Sequence, residues 1–217
     1  MKTSKLFYAL LAAITLLHAA AASAANIDMN DPRRVVGRES DVRVDAQLLQ
    51  DTVSPGSVVA VTYQIQNFTA APIAIADRVT TASYDADTAT ITLAIGAEVP
   101  QDGRMPHVAT IGPGEKKVFR TGATPALNAA ALRSSLATRP RYVQVKVTVL
   151  RDVAPFSPLI DSQQQARTAP MLPDALFDKW FEANDTILLN TVPVRFSLRG
   201  AGSTPDFGAD QDTSGSM

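Results

Sequence analysis

The clearest strand signal in the chain is the nine-residue stretch YVQVKVTVL, which runs from Tyr142 to Leu150. Every second residue from Val143 to Val149 is valine, and the residues between these valines are polar. Successive side chains of a strand point to opposite faces, so this alternation predicts a strand with one buried face and one solvated face. Valine also favours extended backbone because it is branched at Cβ.

The same alternation recurs in other segments, which are separated by turn residues. It is regular in Val42–Leu48 and Val59–Gln66, and Ser54-Pro55-Gly56 between them is typical of a turn. Further extended segments are predicted at 73–75, 88–95, 107–111, 116–120 and 187–198. Val118 is expected to point into the core, and Pro193 indicates that the last strand lies at an edge or carries a bulge.

Two segments predict short helices. Thr124 can cap a helix with Pro125 at its first position, which favours a helix near 125–136. In residues 173–183, apolar side chains recur at a spacing of four. The proline-rich stretch 153–173 is interpreted as a long connection. The sequence therefore predicts an all-β fold, an antiparallel β-sandwich over residues 41–198 with two short helical insertions.

Two motifs resemble those of bacterial immunoglobulin-like adhesion and repeat domains. The stretch PGSVVAVTYQIQN, Pro55 to Asn67, is similar to the second-strand pattern of these domains. The stretch IGPGE, Ile111 to Glu115, followed by Val118-Phe119, resembles a later hairpin in them. The resemblance covers about residues 41–150 and implies an immunoglobulin-like sandwich. It implies no activity, since this fold carries many functions.

The first 24 residues predict a secretory signal peptide. Lys2 and Lys5 precede an alanine-rich apolar run from Leu6 to Ala22, and Ala22-Ser23-Ala24 is a small-residue cleavage pattern. A membrane anchor is the alternative for this run. We expect cleavage after Ala24, a bacterial periplasmic or secreted location, and no membrane span in the mature protein.

The two ends of the mature chain are predicted to be irregular. Residues 25–40, which include Arg33, Arg34 and Arg38, are interpreted as a flexible N-terminal arm, and residues 199–217 as a disordered tail. Without Lys2 and Lys5 the formal net charge falls from −1 to −3. An acidic chain without a basic stripe argues against nucleic acid as a partner.

Composition limits the chemistry that the chain can perform. It contains no Cys and two His, one of which, His18, lies in the predicted signal. Thiol catalysis is therefore impossible, and a Ser-His-Asp triad could use only His107. Met105-Pro106-His107 offers copper ligands in principle, but loop chemistry explains it better. A carboxylate-based hydrolase stays open, although the sequence locates no cleft for it.

Two sets of residues are candidate binding sites. Asp85 and Asp87, at alternate positions of a polar hairpin tip, could ligate calcium with the help of backbone carbonyls. Phe177, Trp180 and Phe181 form an aromatic stripe, which is core if it packs on the sheet and a partner-binding patch if it is exposed. No other cofactor is indicated.

The favoured hypothesis is a non-enzymatic periplasmic interaction module that binds another extracytoplasmic protein through a sheet edge or loops. The alternative is a sandwich that binds calcium or a small ligand through the Asp85/Asp87 loop.

Overall fold

A computed structural model describes residues 27–96, 103–134, 136–166 and 169–198. The predicted signal peptide and the predicted tail lie outside these ranges. In chain order the strands are β1 Arg34–Glu39, β2 Val42–Leu48, β3 Thr52–Val53, β4 Val59–Asn67, β5 Ile73–Ile75, β6 Thr80–Asp85, β7 Thr90–Ile95, β8 Ala109–Ile111, β9 Lys116–Ala123, β10 Tyr142–Leu150, β11 Asn184–Pro193 and β12 Arg195–Phe196. The helices are α1 Ala129–Leu132, α2 Ser157–Ala166 and α3 Asp174–Ala183, with a 3₁₀ turn at Ala154–Phe156 before α2.

The predicted all-β sandwich is confirmed. Sheet 1 is antiparallel throughout, with strand order β1-β2-β4-β9. Sheet 2 is built around β10, which pairs with β11 along one edge and with β7 and then β5 along the other. Strand β6 lies outside β7, and β8 lies outside β5. A two-residue parallel pair joins β12 to β3.

Sheet 2 departs from the predicted antiparallel pattern at one pair of strands. Strands β7 and β10 run parallel, with Tyr142 opposite Thr90 and Val147 opposite Ile95. Parallel neighbours need a long crossover connection. The chain between β7 and β10 provides it, because it passes through β8, β9 and α1 before returning.

The main core lies between the two sheets and consists of the alternating apolar residues. These side chains are less than 1% exposed and include Val44, Val61, Tyr63 and Ile65 from sheet 1 and Ile91, Leu93, Val145 and Val147 from sheet 2. Burial of a Val or Leu side chain contributes roughly 1.5–3 kcal/mol each. The valines that predicted β10 therefore also supply much of the stability of a chain without disulfides.

A second apolar cluster covers one end of sheet 2 on its outer side. Ala74 and Leu150 face outward there and contact Phe156, Ile160 and Trp180 from the helical segment. The stretch 153–173, predicted to be a long connection, therefore contains α2. Gln163 of this helix is buried and holds the neighbouring chain, because its side chain accepts from Val108 N (3.0 Å) and donates to Pro106 O (2.9 Å).

The sheets meet closely along both sides of the sandwich. Strand β1 approaches β11 at Gly37, where a Cβ would lie 2.9 Å from Ile187 Cγ2. On the other side, the Thr80 and Thr121 hydroxyls of β6 and β9 are 2.6 Å apart. Arg151 links the sheets at one end by an ion pair with Asp185 and by donating to Ser40 O at 2.8 Å. None of the helices in the described ranges is long and apolar enough to cross a membrane.

The buried side chain of Asn67 organises the corners at the end of β4. Its Nδ2 donates to Ala71 O (2.8 Å) and Ile111 O (3.0 Å), and its Oδ1 accepts from Thr69 N (2.9 Å). The IGPGE motif lies at this corner and joins β8 of sheet 2 to β9 of sheet 1. It is therefore a crossing between sheets and not the hairpin that the sequence suggested.

Part of the predicted N-terminal arm is a strand. Residues 34–39 form β1, which pairs with β2 from Arg34–Gln47 to Glu39–Val42. The two residues between the strands, Ser40 and Asp41, have φ of 40° and 63°. Positive φ at both central positions is the requirement of a type I′ turn, which usually has Asn-Gly there. Because that signature is absent here, the residue pattern does not predict this hairpin.

We predict that Ser40→Asn/Asp41→Gly stabilises the fold by about 0.5–1 kcal/mol, because Asn and Gly tolerate positive φ better than Ser and Asp. Urea unfolding measures this change. Asp41→Ala is the control, since it removes the same exposed ion pair with Arg38 but keeps a Cβ at positive φ. A double variant no more stable than wild type would contradict the turn assignment.

We also predict that Gly96→Ala is strongly destabilising. Gly96 follows β7 with φ +89°, and an added Cβ would collide with Thr148 O. The expected loss is about 1–2 kcal/mol from the left-handed backbone and about 1–3 kcal/mol from the collision. Gly56→Ala is the matched control, because Gly56 has φ +77° and no atom within 4 Å of the added Cβ. Equal losses of unfolding free energy in the two variants would refute the close approach of β7 and β10.

Candidate functional site

The Asp85 carboxylate is used within its own hairpin turn. Its Oδ1 accepts from Asp87 N at 2.9 Å, and its Oδ2 accepts from Thr88 Oγ1 at 2.8 Å. The Thr88 hydroxyl and then the Asp87 N–H lower the pKa of Asp85 from its usual 3.8, because both hydrogen bonds favour the charged carboxylate. Asp87 is exposed beside it.

The calcium hypothesis gains no further ligands from the fold. Within the described ranges, no three His, Cys, Asp or Glu side chains lie together in a way that could hold a metal ion. Calcium takes six to eight oxygen ligands, and both Asp85 oxygens already accept turn hydrogen bonds. The Asp85/Asp87 site stays a prediction.

The predicted aromatic stripe is divided between core and surface. Trp180 is 2% exposed and packs edge-on against Phe156, with ring centroids 5.5 Å apart. Phe181 is 48% exposed, and half-buried Phe177 meets it at 5.5 Å. Trp180 is therefore a core residue of the second apolar cluster, and only Phe177 and Phe181 are available at the surface.

His107 forms a pair with Asp77. Its Nδ1 lies 2.7 Å from Asp77 Oδ1, and both side chains are partly exposed. Met105, which the sequence placed with His107 as a copper candidate, is fully buried in the second apolar cluster. Nearby, burial raises the pKa of the Tyr63 hydroxyl, and the charge of Asp77 adds to this effect.

A groove of about 350 Å³ lies beside the N-terminal half of α2. Asp152, Asp161 and Gln164 line it, together with Arg151. The Arg151 guanidinium is already committed to Asp185 and to the turn after β1. The Asp152 carboxylate accepts from Ala154 N at 3.1 Å. Two of the polar side chains in this groove, Arg151 and Asp152, are therefore already used in contacts within the fold.

The outer face of sheet 1 carries a concentration of basic side chains. The strand registers align three rows of outward side chains across all four strands. From β1 to β9, these rows are Arg34-Gln47-Thr62-Arg120, Val36-Asp45-Gln64-Val118 and Arg38-Arg43-Gln66-Lys116. Five of these side chains are basic and one is acidic. The face is therefore basic on a chain whose formal net charge is −1.

The single acidic side chain of this face is neutralised. The Asp45 side chain is 3% exposed and forms ion pairs with Arg34 and with Arg43, whose Nε lies 2.9 Å from Asp45 Oδ2. A buried carboxylate needs such partners, since an unpaired buried charge is costly. Asp45 therefore fixes the two guanidinium groups on the face.

Strand β9 provides the open side of this face. Lys116, Val118 and Arg120 are all exposed, and Lys116 and Arg120 form no ion pair with a described residue. The prediction that Val118 points inward is wrong. Phe119 points inward instead, because it lies opposite Tyr63 and stacks on that ring at 5.2 Å. Val118 is consequently 37% exposed between two cations.

The opposite corner of the face is covered by the chain itself. The segment before β1 crosses Gln47, which accepts from Asp28 N at 3.0 Å and donates to Asp31 at 2.6 Å. At another end, Asp41 pairs with Arg38, and Glu115 pairs with Lys117. The backbone N–H of Gly112 and then Lys117 lower the pKa of Glu115. The open, basic part thus consists of the outward side chains of β9, next to half-buried Gln64 and Gln66 of β4.

The outer face of sheet 2 has a different chemistry. Two of its rows are Ser83-Thr92-Gln144-Thr191 and Thr81-Ala94-Lys146-Leu188. Four of these eight side chains carry hydroxyl groups, and Lys146 is the one charged side chain in the two rows.

Comparison with known protein families, characterised proteins and solved structures found no significant match. Functional inference therefore depends on the surfaces themselves.

This basic face is not evident from the sequence alone. Arg34 and Arg38 lie in the predicted N-terminal arm, and Lys116 and Arg120 lie in a predicted strand. The available signal was the set of basic residues at alternate positions in several strands. Strand order and register were needed to bring them to one face.

We predict that Asp85→Asn makes the unfolding free energy less dependent on pH between about pH 5 and 2. Because the pKa of Asp85 is lowered in the fold, its stabilisation is complete above 3.8 and is lost as pH falls through the lowered value. Asparagine can still accept from Asp87 N through its one amide oxygen, it cannot accept the Thr88 hydroxyl through its NH2 group, and it does not titrate. Asp87→Asn is the control, and urea unfolding at several pH values is the measurement. A wild-type slope in Asp85→Asn would contradict this role.

Proposed function

We propose that the chain is a non-enzymatic, extracytoplasmic interaction module that binds another protein through the outer face of sheet 1. The observation that carries the proposal is the open part of this face, where exposed Val118 lies between two cations that form no ion pair with a described residue. An apolar centre with a polar rim is the usual arrangement of a protein interface. The extracytoplasmic location is supported by the signal-like sequence of residues 1–24.

A sheet face is better supported than a sheet edge as the binding surface. Strands β1 and β11 approach each other at Gly37, and β6 and β9 meet at Thr80 and Thr121. On the short edge strand β8, Lys117 Nζ donates to Thr110 O at 2.5 Å. These contacts hinder the pairing of a foreign strand, whereas the outward side chains of β9 remain accessible.

We also propose that the sandwich is immunoglobulin-like. Strands β2, β4 and β9 adjoin in one sheet, while β5, β10 and β11 adjoin in the other. This grouping is compatible with the A-B-E and C-F-G sets of an immunoglobulin domain. The hairpin β6–β7, with its parallel pairing to β10, would then be an insertion.

Site-specific photocrosslinking tests the proposed function. A photoreactive residue is placed at Val118 and, separately, at Leu188, an exposed aliphatic position on the outer face of sheet 2. In living cells of the organism that encodes the chain, we expect a discrete protein adduct from position 118 and none from position 188. Position 181 tests the aromatic stripe. Adducts from position 181 or 188 without one from 118 would refute the proposal.

A further inference from the structure

We infer that the partner segment on the outer face of sheet 1 is acidic and extended, with carboxylates that pair with Lys116 and Arg120. The inference rests on the proposed function, because it names the chemistry of the partner at the same face. Opposite charges at an interface speed association and select the partner. A carboxylate-bearing segment is the complementary choice for a face with five basic side chains and one neutralised acid.

The spacing along β9 favours an extended segment. Lys116, Val118 and Arg120 are alternate residues of one strand, so neighbouring outward side chains lie roughly 7 Å apart. An extended polypeptide repeats its own side chains at the same interval. A segment with two acidic residues four positions apart would therefore reach both cations, and the residue midway between them would contact Val118.

Neighbouring residues favour a polypeptide over a phosphate surface. Gln64 lies opposite Val118, and Gln66 lies opposite Lys116, on the outward side of β4. A glutamine amide both donates and accepts hydrogen bonds. The backbone of a polypeptide also presents donors and acceptors, whereas lipid or nucleic acid phosphates present acceptors only. Exposed Val118 likewise suits an apolar side chain.

Binding of fluorescein-labelled decaglutamate, measured by fluorescence anisotropy, tests the inference on the full mature chain. We expect decaglutamate to bind and decalysine not to bind. Increasing NaCl from 50 to 200 mM should weaken binding several-fold, because salt screens exposed charges. Lys116→Glu/Arg120→Glu should weaken it by about tenfold or more through like-charge repulsion.

The matched control is Arg133→Glu/Arg139→Glu, which makes the same change in net charge at two exposed residues outside sheet 1. We expect less than a twofold effect from it. Lys116→Gln/Arg120→Gln is a milder second variant, and thermal melting verifies that all variants fold. An equal loss of binding in the two Glu variants would overturn the inference, since net charge alone would then explain it.

Two further probes separate an acidic polypeptide from other polyanions. They are vesicles of phosphatidylglycerol with phosphatidylcholine, and a ten-residue oligodeoxythymidylate. Stronger binding to either probe than to decaglutamate, or no binding of decaglutamate, would overturn the inference. If decaglutamate fails to bind but position 118 still gives a protein adduct, the proposed function stands and its acidic partner is wrong. If decaglutamate binds selectively but position 118 gives no protein adduct, the face selects acidic polypeptides and the proposed function as a protein-binding module is wrong.

Discussion

The two-residue period of the strands links the interior of this protein to its surface. Because neighbouring side chains must point in opposite directions, burial of Val61, Tyr63 and Ile65 in β4 leaves Thr62, Gln64 and Gln66 on the outer face. In β9 the same rule places Phe119 inside and Val118 and Arg120 outside. A slip of one residue would bury two cations and expose an aromatic ring. The core thus selects the register that assembles the basic face.

Two local interactions hold parts of that face in place. The Tyr63–Phe119 stack, with ring centroids 5.2 Å apart, fixes β9 against β4 from the inside. From the outside, Asp45 holds the guanidinium groups of Arg34 and Arg43. Side chains that are already ordered lose less conformational entropy when a partner binds. The face is therefore organised by the same contacts that stabilise sheet 1.

The residue patterns predicted the strands in which buried and exposed side chains alternate regularly. They failed where contacts with other parts of the chain decide which side chain is buried or which element forms. The valines of β10 and the apolar positions of β4 determined two central strands, and Pro193 correctly indicated an edge strand. The prediction that Val118 points inward failed because the apolar residues Val118 and Phe119 are adjacent, and the local sequence does not show which of them is buried. The stack of Phe119 on Tyr63 of the neighbouring strand decides it. Strand β1 was missed because its Ser40-Asp41 turn lacks the Asn-Gly signature. Helix α2 was missed because part of its anchoring comes from Gln163, a polar residue that bonds to distant backbone.

Charge is distributed unevenly between the outer faces of the two sheets. The chain is slightly acidic as a whole, yet the aligned outward rows of sheet 1 contain five basic side chains and one acidic one. Two outward rows of sheet 2 contain one charged side chain, and half of their side chains carry hydroxyl groups. Such an asymmetric field orients an approaching charged partner before contact and weakens as ionic strength increases. The other charged candidates are largely occupied by internal bonds: Asp85 by its turn, His107 by Asp77, and Arg151 by Asp185 and Ser40. Lys116 and Arg120 differ from them because they form no ion pair with a described residue. These two cations of β9 are therefore available to pair with a charged partner.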